Sequence, residues 1–99
     1  MPEALAFFRG KIIPLSEAKV SVTTHALHYG TAVFEGIRGN WNKEQDRMFV
    51  FRMREHYVRL LQGCRIMLMD MPYDADDLCL ITAELLKACG YKEDLYIRP

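Results

Sequence analysis

Four small groups of residues have the types and spacing to do chemistry. His56, Arg59 and Gly63 stand at i, i+3 and i+7 and share one face of any helix through them. An arginine there, with a glycine one turn on, reaches a phosphate with a bidentate fork. Arg52, Arg54 and Arg65 lie nearby, so a solvated helix face is an equally simple account. Phe34, Gly36 and Arg38 alternate, and in a strand they share one side while Val33, Glu35 and Ile37 take the other. An aromatic, a gap and a cation in a row form a wall for an organic anion, with Gly36 leaving room for a ligand near the backbone. A half-exposed strand with a bulge at the glycine fits the same pattern.

Tyr96 and Arg98 put a phenol and a guanidinium on one side of a strand, suited to a carboxylate or to a strand edge facing water. His25 and His28 are three apart, as metal ligands on one helical face are, with Glu35 and His56 as further donors if the fold brings them close. No CxxC pair or third spaced histidine accompanies them, and hydrogen-bonding histidines account for the spacing more simply. Glycine-rich phosphate loops and a nucleophile elbow are missing from the sequence.

These residues must be held by elements the sequence also encodes. Residues 5–8 and 12–13 are short apolar runs around Arg9-Gly10-Lys11, a hairpin pattern, with Pro14 closing the second strand. Residues 16–18 read as a brief turn and 20–22 as extended. Residues 23–31 keep no clean period and read as an irregular or short helical segment ending at Gly30. Strands are expected at 32–39 and 48–53, joined by the polar loop 40–47, and the run Met48-Phe49-Val50-Phe51 predicts a strand covered on both faces.

Residues 54–67 carry the three-and-four spacing of a buried helical stripe at Tyr57, Leu60, Leu61, Cys64 and Leu68. Gly63 within it costs about 1 kcal/mol relative to alanine and implies close approach by another group. A second helix is expected over 74–89, capped by Asp74, with Asp76 and Asp77 at its positive end and Gly90 at its exit. Its core stripe is Leu78, Ile81, Leu85 and Cys89. Residues 95–99 begin another strand. Strands, two main helices and a further strand make an α+β domain built on an antiparallel sheet.

The 99 residues suffice for one small domain. Thirteen basic residues balance thirteen acidic ones, and no basic stripe stands out to recruit nucleic acid or an anionic membrane. The partners expected are small molecules or protein. No apolar run reaches membrane-spanning length, and the N-terminal MPEALAFF lacks a signal-peptide pattern, so a cytoplasmic location is expected. Three cysteines in apolar helical positions read as small buried hydrophobes.

Beyond pattern, HALHYGTAVFEGIRGNW (25–41), FRMREHYVRLLQGCRIM (51–67) and LYIRP (95–99), preceded by FFRGKIIPLSEAKVSV (7–22), resemble the N-terminal part of the branched-chain amino-acid aminotransferases in the same order. The resemblance covers nearly the whole chain. It implies the small N-terminal domain of a fold-type IV, pyridoxal 5'-phosphate (PLP) dependent enzyme, spanning residues 1–99. Such an enzyme moves an amino group between leucine, isoleucine or valine and 2-oxoglutarate, and functions as a homodimer.

The resemblance assigns Arg59 to the PLP phosphate and Phe34 and Gly36 to the side-chain pocket. It assigns Tyr29 to the substrate pocket of the neighbouring subunit, Arg98 to the distal carboxylate of a glutamate donor, and Arg38 to the substrate side. The family's Schiff-base lysine matches none of Lys11, Lys19, Lys43, Lys87 and Lys92 and falls beyond Pro99. The chain alone is therefore expected to be inactive, as a truncated domain whose PLP binding is itself doubtful. The alternatives are another fold-type IV enzyme (a D-amino-acid or amine aminotransferase, or an aminodeoxychorismate lyase) and a self-associating module without catalysis.

Overall fold

The computed structural model describes residues 4–99, so the first three residues of MPEALAFF lie outside the described residues. The chain opens with β1 (Leu5–Phe8) and β2 (Lys11–Pro14), an antiparallel pair joined by Arg9 and Gly10. Both turn residues take positive φ, the conformation whose twist matches that of the flanking strands. After a single 3-10 turn comes α1 (His25–Tyr29), closed by Gly30 in the left-handed conformation.

β3 (Ile37–Asn42) is the centre of a three-stranded antiparallel sheet, flanked by β4 (Arg47–Val50) and β5 (Leu95–Ile97). Between β4 and β5 run α2 (Met53–Ile66) and α3 (Ala75–Cys89). Asp74 caps α3 reciprocally with Asp77, and Gly90 ends it in the left-handed region. Ile37, fully buried, meets Tyr57 and Leu60 of α2 and Ala75 of α3 in the core, with Val33, Val50, Met53, Leu61, Leu78 and Ile97 around them. No helix among the described residues is long and apolar enough to cross a membrane.

The α+β architecture and the two main helices match the expectation, while other details differ. The strand expected over 32–39 starts only at Ile37, because residues 31–36 have no partner strand; there Glu35 gives its backbone N–H to the Pro99 carbonyl. The polar loop contracts to 43–46, since Asn40, Trp41 and Asn42 pair with Phe49, Met48 and Arg47. The run at 48–51 is covered on one face only: Met48 and Val50 turn inward while Phe49 and Phe51 are exposed. Leu68 leaves the α2 stripe because the helix ends at Ile66 and a positive φ at Leu68 swings its side chain into solvent. Residues 20–22, read as extended, join no sheet.

Candidate functional site

The site is built where the unpaired segment 31–36 passes across α2 and the end of β5. Alternation persists there without a ladder: Glu35, Ile37 and Gly39 are buried, while Phe34, Arg38 and Asn40 face out. Glu35 is thus a carboxylate on the core side, only 5% exposed. A charge so placed demands partners. Two come from α2, one turn apart. Arg59 donates from both Nε and Nη2, the second at 2.9 Å to Oε2, in a fork against the carboxylate. His56 Nδ1 lies 3.3 Å from the same Oε2; since a carboxylate only accepts, Nδ1 carries the proton. The Arg59 hydrogen bond is the main reason the Glu35 carboxyl falls to about 2, with His56 helping and burial opposing.

Arg59 itself is not buried, its side chain being 70% exposed. One edge of the guanidinium is bound to Glu35. The remaining N–H groups open onto a cleft of about 520 Å³ lined by Phe34, Gly36, Tyr96 and Arg98 as well as Arg59 and Gly63. Arg98 lies over the Phe34 ring at 4.8 Å and over Tyr96 at 5.2 Å, so an apolar wall and a second cation share one surface. Two guanidinium groups beside exposed aromatic rings make a receptor for an anionic, partly apolar small molecule. The set fits PLP in one specific respect: a cation fixed on one edge and open on the other suits a phosphate.

Four expected site residues therefore come together: Phe34, Gly36, Arg59 and Arg98. Two do not join them. Arg38 opposes Tyr96 in the β3–β5 register and faces a neighbouring recess with Asn40, Phe51 and His56, on the far side of Tyr96. Tyr29, on α1, is 74% exposed and stacks on His25; it does not line the cleft within this chain. The role expected for Gly36 also changes. A Cβ there would collide with the Tyr96 phenol, so the space left by the glycine is filled by that ring and not kept for a ligand. Gly63 behaves as expected: its missing Cβ admits Val33, whose Cγ1 would stand 2.7 Å from it.

His25 and His28 are hydrogen-bonded, to Thr31 Oγ1 and to the Val22 carbonyl, each at 2.7 Å. Among the described residues no group of three metal-ligand side chains gathers. Cys64 is buried in α2, and Cys79 and Cys89 are half-buried in α3, all as free thiols. Burial raises the Cys79 thiol above its ordinary value, which keeps it protonated. Sequence reasoning overlooked Glu35 as an organising group, although a signal existed: an acid between Val33 and Ile37 on the apolar side of an alternating run.

No family model matches the chain. It is 49% identical over 94 residues to a probable branched-chain-amino-acid aminotransferase of Aquifex aeolicus, covering 95% of this chain and 30% of that protein. Among solved structures it resembles the branched-chain aminotransferase of Thermoproteus uzoniensis with norvaline, at TM-score 0.84 and 47% identity over 90% of this chain and 29% of that one. It also resembles the branched-chain amino acid aminotransferase of Thermobaculum terrenum in its PLP form, at TM-score 0.80 and 40% identity over 89% and 29% of the two chains. The chain thus spans about 30% of the length of the curated relatives it matches.

Proposed function

We infer that this chain belongs to the branched-chain amino-acid aminotransferases and forms the N-terminal part of a PLP-dependent enzyme. That enzyme exchanges an amino group between leucine, isoleucine or valine and 2-oxoglutarate. The observation that carries the reading is the cleft itself: Arg59, clamped on one edge by Glu35, opens beside Phe34 and Arg98. PLP in one relative and norvaline, an apolar amino acid, in another support the two halves of the assignment.

In this reading Arg59 directs its free N–H groups to the PLP phosphate. Phe34 gives the substrate an apolar wall. Arg98, held against Phe34 and Tyr96, meets the distal carboxylate of a dicarboxylic donor, and leaves an apolar side chain in contact with the rings alone. Gly36 leaves the space that the Tyr96 phenol fills beside that wall. Arg38 belongs to the outer recess. The exposed Tyr29 completes the pocket of a second copy in a homodimer. PLP, when bound, supplies the electron sink that lets the Cα–H bond of an amino acid break. Covalent attachment and proton transfer fall by resemblance to the part of the relatives this chain does not match.

The test joins the chain to the unmatched C-terminal portion of the Thermoproteus uzoniensis relative and measures PLP uptake and amino transfer from leucine, D-alanine and a primary amine. Uptake of PLP and preference for leucine are expected, with both uptake and transfer falling in Arg59→Ala. A preference for D-alanine or the amine, or unchanged PLP affinity in Arg59→Ala, would overturn the reading.

A further inference from the structure

We propose that Glu35 is the positioning residue for Arg59: its buried carboxylate takes the Nε–Nη2 edge of the guanidinium, fixes the plane of the fork, and presents the remaining N–H groups to a phosphate. The proposal rests on the reading of Arg59 as the phosphate contact and adds the group that makes this contact rigid.

An exposed arginine on a helix has many rotamers, and ordering it on ligand binding costs affinity. Here the order already exists. Glu35 is immobilised by its place between Val33 and Ile37 on the core side and by its backbone N–H bond of 3.1 Å to Pro99. His56 holds Oε2 from a second direction, 3.3 Å away, so the carboxylate cannot swing with the arginine. Two parallel N–H···O contacts then define the guanidinium plane as one contact cannot.

Electrostatics alone argues the other way. A carboxylate beside a phosphate site is a like charge, and a bare Arg59 would attract the dianion more strongly. Orientation and charge therefore predict opposite signs when Glu35 is neutralised. Positioning predicts weaker phosphate binding; charge damping predicts stronger binding.

The experiment compares PLP with pyridoxal, which lacks the phosphate, as equilibrium ligands of the joined protein described above. Thermal melting checks that each variant is folded. Glu35→Gln is expected to weaken PLP by about tenfold or more, the scale of hydrogen bonds to charged groups, while pyridoxal binding changes little. A purely structural tether would weaken both ligands alike and leave their ratio unchanged. If Glu35→Gln fails to fold, Glu35→Asp keeps the charge but withdraws it by one methylene, and a fall in the same ratio is expected. An unchanged or increased ratio in the folded variant overturns the proposal. Arg59→Ala is the separate control: loss of the PLP preference there with an unaltered ratio at Glu35 rejects only the positioning role. An unaltered ratio in Arg59→Ala rejects the phosphate assignment and this proposal with it.

Discussion

The guanidinium of Arg98 lies over the ring of Phe34 at 4.8 Å, joining the end of β5 to a segment that has no strand partner. That stacking is a surface contact, and it leaves the N–H groups of Arg98 at the rim of the cleft. Replacing Arg98 by methionine retains length and apolar contact while removing the charge. In the joined protein described above, the proposed function predicts that KM for glutamate rises by about tenfold or more, the scale of a lost charge-assisted hydrogen bond, with KM for leucine little changed. Equal losses for both substrates would show that Arg98 shapes the wall and does not read the distal carboxylate.

Gly63 sits in the middle of α2, where alanine is normally favoured by about 1 kcal/mol. Its Cβ would stand 2.7 Å from Val33 Cγ1, and a valine is too stiff to withdraw easily. Overpacking wins, so Gly63→Ala is expected to destabilise by about 1–3 kcal/mol. Urea denaturation measures it, and adding Val33→Ala to the same chain should restore part of the loss.

Tyr57 and Thr82 show an asymmetric hydrogen bond. Thr82 donates to the Leu78 carbonyl at 2.7 Å, so the Tyr57 phenol is the donor to Thr82 Oγ1. Tyr57→Phe leaves Thr82 satisfied and is expected to cost about 0.5–1.5 kcal/mol. Thr82→Val strands a buried phenol and is expected to cost more, about 1–3 kcal/mol. Thermal denaturation in the two variants gives the order, and the reverse order would contradict the donor assignment.

Stability should depend on acid through Glu35. The Arg59 hydrogen bond lowers its carboxyl from 4.5 to about 2 in the folded chain. A depressed folded value means the stabilisation is complete above the unfolded value and disappears as pH falls from about 4.5 through about 2. Glu35→Gln removes that titration, and its stability should vary less steeply with pH across the window. Denaturation midpoints at steps through that range check the slope.

Local order was legible in the sequence because its causes lie within a turn or two of each residue. The spacing of Tyr57, Leu60 and Cys64 marks the buried face of α2; Asp74 and Gly90 mark the ends of α3; Gly63 announces a close neighbour. Alternation from Val33 to Arg38 assigned the two faces correctly even where no strand forms. The motif blocks carried the resemblance to the branched-chain amino-acid aminotransferases, and with it the roles proposed for Arg59 and Arg98.

Tertiary structure decided what partners those residues have. Glu35 meets Arg59 and His56 across separations of 24 and 21 residues, distances over which periodicity carries no information. Tyr96 occupies the space above Gly36, which converts an expected ligand gap into a packed wall and divides Phe34 from Arg38. The exposure of Phe49 and Phe51 likewise follows from where the helices lie and not from the apolar run. Side-chain direction is fixed by neighbours along the chain; the choice of partner is fixed only when the β3–β5 register and the packing of α2 close the cleft.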